Sequence, residues 1–263
     1  MRIPPLLLWA LALSLGATAC KATCPAPAVT LPPEVLAQPA GTSAAAGPAR
    51  VKLGELAKAS ARTDKGPQDH NYVDLYERLI LQWKNDPIKI LEIGIEKGGS
   101  LLMWQDYFPK ATIYGLDMED KSALANARVT TLMGDQAKRG DLQRAMDISG
   151  GEIDILIDDG GHTMEQQQVS LGFLFKYVRP GGYYILEDLH TSIPALWKGY
   201  GVEPDGKNST LRMIQDYMQS VPATFKSKYM LPEEMKYLNE HVEFANLHYR
   251  SARPSIVCIF KKK

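Results

Sequence analysis

Cysteine is scarce in this chain: Cys20, Cys24 and Cys258 are the three among 263 residues. That number excludes a disulfide scaffold. Charge of either sign is not in excess, with 30 Lys and Arg against 30 Asp and Glu. A global positive field able to hold nucleic acid or an anionic membrane is therefore absent. After the N-terminus no apolar run reaches 18 residues, so no internal membrane span is expected. The chain also lacks G-x-G-x-x-G, the loop that cradles a pyrophosphate. What remains is ordinary for a folded protein. The chain is 45% hydrophobic and 23% charged, which excludes a wholly disordered or collagen-like polymer.

The first 50 residues differ from the rest. They hold three of the bases and one of the acids, which leaves the other 213 residues slightly acidic, with 27 and 29. Arg2 precedes an apolar run, Leu6 to Leu15, and the small residues Ala17-Thr18-Ala19 follow. This pattern predicts a signal peptide over residues 1–19. Cys20 comes directly after, as in a bacterial lipoprotein signal, so a lipidated Cys20 and a membrane tether are expected. Residues 21–50 contain nine Ala and six Pro, which reads as a linker, and residues 51–263 are expected to form one domain. On export, Cys20 and Cys24 could pair.

From Val51 onward, short β-branched runs alternate with amphipathic segments. Strands are expected over Ile88–Ile95, Thr112–Asp117, Val129–Met133, Ile153–Ile157 and Gly182–Leu186. Helices are expected over Val73–Trp83, Leu101–Tyr107, Asp141–Met146, Thr163–Val178 and Leu211–Val221. Val242–Tyr249 and Ser255–Phe260 read as a closing pair of strands. This alternation predicts an α/β fold: a doubly wound, Rossmann-like, mostly parallel sheet with helices on both faces and an antiparallel C-terminal strand.

In such sheets a ligand binds beyond the carboxyl ends of the strands. There the sequence places Glu92 and Gly94, then Asp117, Asp135, Asp158-Asp159 and Glu187-Asp188. One such acid is most simply a helix cap. Acids at five successive strand ends point to ribose hydroxyls, a cationic ligand or a metal. Asp117 lies 23 residues after Gly94, where a carboxylate accepts hydrogen bonds from a ribose diol. The glycine loop at 94–100 carries Glu96, a poor neighbour for a diphosphate. S-adenosylmethionine has the diol, no phosphate and a sulfonium cation.

Several motifs are similar to those of the class I S-adenosylmethionine-dependent methyltransferases. More narrowly, they resemble the metal-dependent macrolide-sugar O-methyltransferases of the mycinamicin and macrocin type. They are Thr63-Asp64-Lys65 with His70, Tyr72 and Tyr76; LEIGIEKGGSL at 91–101; MWQDYFP at 103–109; GLD at 115–117; GDQ at 134–136; IDDGGH at 157–162; and EDLH at 187–190. The resemblance covers roughly residues 60–260, and IDDGGH with EDLH is its most specific part.

The resemblance implies a Rossmann-like methyltransferase fold with S-adenosylmethionine and Mg as cofactors. Gly94 and its loop would hold the methionine moiety, Asp117 the ribose, and Asp135 and Gln136 the adenine. His70 and Tyr72 would close over the cofactor, and Thr63, Glu92, Ser100 and Asp158 would join that set. Asp159, Glu187 and Asp188 would bind the metal, and His162 would be the general base. The acceptor would be a hydroxyl on a sugar or secondary metabolite, with Thr191–Ser209 as a lid. Two other readings compete. One is an exported or membrane-tethered binding protein that keeps the fold without catalysis. The other is a nicotinamide oxidoreductase, which the missing dinucleotide fingerprint disfavours. The signal peptide points to the membrane or periplasm, whereas cofactor supply points to the cytoplasm.

Overall fold

The computed structural model describes residues 52–59, 63–250 and 255–263. The expected signal peptide, lipidated Cys20 and linker lie outside the described residues.

Two helices come first, α1 (Leu53–Ala59) and α2 (Val73–Ile80). The sheet then begins with β1 (Lys89–Ile93), α3 (Gly99–Tyr107), β2 (Thr112–Asp117) and β3 (Val129–Met133). It continues with α4 (Arg139–Ser149), β4 (Ile153–Asp158), α5 (Met164–Leu174) and β5 (Val178–Leu186). Helices α6 (Thr210–Gln219) and α7 (Pro232–His241) lead to β6 (Val242–Arg250) and β7 (Ser255–Lys262). Among the described residues, seven strands lie in the order β3-β2-β1-β4-β5-β7-β6. Strands β1 to β5 pair in parallel, and β7 is antiparallel to both β5 and β6. This is the mostly parallel sheet with an antiparallel C-terminal strand that the sequence predicts.

Alternation along each strand explains the two helical layers. Leu91, Ile93, Leu156, Tyr184, Leu186, Cys258 and Phe260 share one apolar cluster with residues of α4, α5, α6 and α7. Their neighbours Ile90, Ile155, Ile157, Ile185, Val257 and Ile259 share the other with residues of α1, α2 and α3. Both faces of the central strands are covered, so those strands read as near-continuous apolar runs. Cys258 is fully buried and free, and burial pushes its thiol well above the usual range, so it is chemically inert.

Some boundaries differ from the sequence expectation. The long helix begins at Met164, not Thr163, and gives way to a 3-10 turn over Phe175–Tyr177. Thr163 is its cap: its hydroxyl accepts the Gln166 N–H at 3.2 Å, and Gln166 Oε1 accepts the Thr163 N–H at 3.3 Å. This reciprocal box fixes where the helix starts and leaves His162 in the turn before it. The order reverses between β1, which leads toward β2, and β4 on its other side. At that switch point the backbones are stitched together, since Gly94 N–H donates to Leu116 O at 2.8 Å and Asp159 N–H to Ile93 O at 2.9 Å. No described helix is long and apolar enough to cross a membrane.

Candidate active site

A cavity of about 430 Å³ opens at the carboxyl ends of β1, β2 and β4. Of the residues singled out for the cofactor, Thr63, Gly94, Ser100, Asp117 and Gln136 line it, together with Asp159 and His162. Asp117 shapes the cavity as well as facing it. Its Oδ2 accepts the Ile95 and Glu96 N–H groups at 2.8 and 3.1 Å, and its Oδ1 accepts the Glu119 N–H at 2.9 Å. Gln136 bridges the two rims, accepting the Gly161 N–H at 2.8 Å and donating to Asp158 Oδ1 at 2.9 Å.

The other five do not line the cavity. Asp135, two residues beyond β3, accepts the Ala137 N–H at 2.9 Å in the turn that follows. Asp158 is buried and takes hydrogen bonds from Gln136, the Ser170 hydroxyl and the Tyr184 hydroxyl, the last at 2.7 Å. Burial pushes its carboxyl up, and those three donors oppose the push. Glu92 is fully buried and accepts the Trp104 Nε1–H at 3.1 Å. Tyr72 points at the acids, with its hydroxyl donating to Asp188 Oδ1 at 2.9 Å. His70 stacks between Tyr72 and His190, with ring centres 5.3 and 5.7 Å away.

Beside the cavity the strand-end acids converge. Oxygens of Asp159 and Asp188 and a ring nitrogen of His162 lie within 4.8 Å of one another. His162 Nε2 is 3.8 Å from Asp159 Oδ1 and 3.6 Å from Asp188 Oδ2. His162 and Asp188 both have φ of 56°, a left-handed conformation uncommon outside glycine. The backbone thus bends twice to aim these side chains at one point, and such strain concentrates at functional positions. The turn is clamped by the Thr191 hydroxyl, which donates to His162 O at 3.1 Å.

Electrostatics divide the groups by role. Burial lowers the His162 pKa against the pull of Asp188, so the ring is neutral at pH 7 and one nitrogen is free to take a proton. Its Nδ1 is buried without a hydrogen-bond partner. Burial alone would raise Asp188, but His162, His70, His190 and the Tyr72 hydroxyl hold it below the usual range. Asp159 is raised by burial and by the neighbouring Glu187. Glu187, 1% exposed, is pushed up to about 8 by burial although Lys65 pulls it down. The oxygens of Asp159 and Asp188 that face one point are donors suited to a hard divalent cation such as magnesium, which takes oxygen ligands. The crowding of buried acids also fits a site completed by a cation.

Sequence reasoning gave no role to Lys65. Its side chain is 1% exposed, and its ammonium contacts Asp159, Glu187 Oε2 at 3.1 Å and Glu92 Oε1 at 3.4 Å. Thr63-Asp64-Lys65 was a visible motif; no periodicity marks a lysine as buried.

Beyond the acids, the segment after β5 carries a run of rings. His190 lies 5.3 Å from Trp197, which lies 6.5 Å from Tyr200. Trp197 is 44% exposed. The segment is pinned beside His162 by the Met164 N–H, which donates to Tyr200 O at 3.0 Å.

No family model matches the chain. Curated relatives are O-methyltransferases named for demethylmacrocin, mycinamicin VI and tetracenomycin-C glycosides, among others. The chain is 40% identical over 159 residues to a demethylmacrocin O-methyltransferase of Streptomyces fradiae, spanning 58% of this chain and 39% of that protein. It is 37% identical over 180 residues to a mycinamicin VI 2''-O-methyltransferase of Micromonospora griseorubida, spanning 65% and 44%. The chain thus spans less than half the length of these relatives. Among solved structures it is similar to the MycE methyltransferase of the mycinamycin biosynthetic pathway in complex with Mg, SAH and mycinamycin VI. That match has a TM-score of 0.65 and 29% identity, and covers 81% of this chain and 55% of that one. The fold is therefore the Rossmann-like methyltransferase fold, and the resemblance read from the sequence holds.

Proposed function

We propose that this chain is an S-adenosylmethionine-dependent O-methyltransferase, aided by a divalent metal, acting on a hydroxyl of a sugar carried by a small molecule. The observation that carries the reading is the convergence of Asp159 and His162, which line the cavity, with Asp188 beside it. The names of the relatives support the acceptor class, and the Mg and SAH of the MycE complex support the cofactors.

Asp117 would accept the ribose hydroxyls, and the Gly94 loop would receive the methionine end. Asp159 and Asp188 would hold the metal, with Glu187 as a third carboxylate. A bound metal lowers the pKa of an acceptor hydroxyl, and S-adenosylmethionine supplies the methyl group. The chain's own work is positioning and proton removal. His162 Nε2 faces the acids and takes the hydroxyl proton, and Asp188 stabilises the resulting imidazolium. The lid segment, with Trp197 exposed on the His190 side, would form the acceptor wall.

The test is calorimetric titration of the protein with S-adenosylmethionine, with and without magnesium, followed by methyl transfer to glycosylated macrolides and their aglycones. Micromolar binding is expected, corresponding to about −8 kcal/mol. Transfer is expected to the glycosylated acceptor alone and to be lost on chelation. Absence of cofactor binding by folded protein under both conditions would reject the reading. Cofactor binding without any transfer would favour the binding-protein alternative.

A smaller effect follows for Asp117→Ala. It removes three backbone hydrogen bonds to loops 95–96 and 119 as well as the proposed ribose contact. Cofactor affinity is expected to fall about 10- to 100-fold, the worth of hydrogen bonds to a charged group. An affinity equal to that of the parent would remove Asp117 from the cofactor site.

A further inference from the structure

The segment between β5 and α6 leaves the core and returns to it, and its two ends meet on one side chain. Ser192 closes the short 3-10 turn after β5, and Thr210 opens α6. Both are fastened to Met164, the first residue of α5. The Met164 sulfur accepts the Thr210 N–H at 3.2 Å and the Ser192 hydroxyl at 3.4 Å. The Thr210 hydroxyl lies 3.7 Å from the same atom. The Ser192 hydroxyl in turn accepts the Leu211 N–H at 3.1 Å. The first two N–H groups of α6, which have no partner within the helix, are thus taken up by Met164 and Ser192. Met164 and Thr210 are fully buried.

The backbone of Met164 makes a third tie. Its N–H donates to Tyr200 O at 3.0 Å, in the middle of the segment. One turn further along α5, Gln168 Nε2 donates to Asn208 O at 2.8 Å. Met164 follows His162 by two residues, and Thr191, next to Ser192, donates its hydroxyl to His162 O at 3.1 Å. The turn that carries His162 and the segment that carries Trp197 are therefore fastened to each other at the start, the middle and the end of the segment. Packing alone does not ask for methionine at 164, since leucine has nearly its volume. The sulfur answers a different need. Without it the buried Thr210 N–H has no acceptor, and a buried donor left unpaired is costly.

We propose that Met164 is a positioning residue that fixes the spacing between His162 and the wall that meets the acceptor. The inference rests on the reading of His162 as the proton acceptor and of the segment after β5 as the acceptor wall. Methyl transfer needs the acceptor oxygen within reach of the base and in line with the methyl carbon, so a small shift of one wall against the other slows the reaction. A thioether is a weak acceptor. The tie through sulfur accordingly closes the segment without locking it, as suits a wall that must let the acceptor in and the product out.

Met164→Leu and Ser192→Ala, singly and together, test this by hydrogen exchange over residues 190–212 and by single-turnover methyl transfer, with separate titrations of cofactor and acceptor. Circular dichroism reports that each variant is folded. In Met164→Leu, exchange within the segment is expected to speed about tenfold, the worth of one buried donor left unpaired. The acceptor KM is expected to rise and the transfer rate to fall by a similar factor, with S-adenosylmethionine affinity unchanged. The losses in the two single variants are expected not to add, because both remove the same tie. Should Met164→Leu not fold, Ser192→Ala keeps the methionine and carries the same expectation. A methionine of merely structural importance predicts that cofactor affinity falls together with the rate. Exchange equal to that of the parent, or losses that add, overturns the clamp. Faster exchange with acceptor KM and rate unchanged overturns its coupling to His162. If the parent itself transfers no methyl group to a glycosylated acceptor, the proposed activity fails and the coupling fails with it, while exchange still decides the clamp.

Discussion

Replacing His162 with alanine lowers the rate of methyl transfer by about 10²- to 10⁴-fold, the usual worth of a positioned general base. Cofactor affinity changes little by comparison. The expectation rests on what the imidazole does that nothing nearby can replace. Its Nε2 faces the shared point of Asp159 and Asp188 at 3.8 and 3.6 Å. Burial keeps the ring neutral at pH 7, so it arrives able to accept a proton. The acids beside it cannot serve equally. Asp188 is held below the usual carboxylate range, which makes it a weak base. Asp159 is occupied on one side by Lys65. His190 is neutral by the same logic of burial, but it stacks against His70 and lies 3.9 Å from Asp188 on the oxygen that Tyr72 also uses. It therefore faces away from the shared point. A single-turnover assay at saturating cofactor, beside a cofactor titration, separates the two effects. The backbone at 162 has φ of 56°, so His162→Asn is the companion variant, because asparagine tolerates that conformation better than alanine. Equal losses in both variants assign the loss to the ring. A rate within a few-fold of the parent would remove His162 as the base.

The sheet was legible because its signal is local. Each parallel strand is a short β-branched run between turn residues, and burial on both faces writes that run without alternation. Right-handed crossovers narrow the orders such a sheet can take, and the order itself, β3-β2-β1-β4-β5, is seen in the structure. The acids at the strand ends were legible for the same reason, since a strand that ends in Asp or Glu places it on the rim. What was not legible depends on which way a side chain turns after the strand ends. Asp117 closes β2, and Asp135 follows β3 by two residues. Asp117 faces the cavity, whereas Asp135 is taken up by the turn at Ala137 and by Lys138 at 3.6 Å. The family resemblance implies that His70 and Tyr72 close over the cofactor. In the structure they turn toward Asp188 and His190. Lys65 is the extreme case. A lysine in a polar turn reads as solvated, and three acids distant in sequence (Glu92, Asp159 and Glu187) are needed to make its burial tolerable. Such burial is a property of the assembled rim and of no single segment.

Gly94→Ala is expected to disable both halves of the site at once. Gly94 has φ of +84°, and a Cβ there would lie 2.0 Å from Asp159 O, 2.7 Å from Asp159 C and 2.9 Å from Gly160 Cα. These are backbone atoms, so no side-chain rotation relieves the contact. The loop after β1 or the one after β4 must move, and both are tied, through Gly94 N–H to Leu116 O and Asp159 N–H to Ile93 O. The conformational penalty is about 1–2 kcal/mol and overpacking adds about 1–3 kcal/mol. A loss of about 2–5 kcal/mol corresponds to a fall in Tm of about 5–15 °C for a domain of this size. The functional loss is larger than the stability loss implies, because the atoms displaced belong to Asp159 and to the cofactor loop together. Cofactor and metal titrations of the folded variant should therefore both fail. Gly181→Ala is the control. Its φ is +78°, but no atom lies within 4 Å of the added carbon, so it carries the conformational penalty alone. If both alanine variants lose the same stability and Gly94→Ala still binds the cofactor, the close approach of the two loops is not what positions the site. If Gly94→Ala alone loses both ligands, the glycine after β1 is required less for its turn than for the room it leaves the Asp159 backbone.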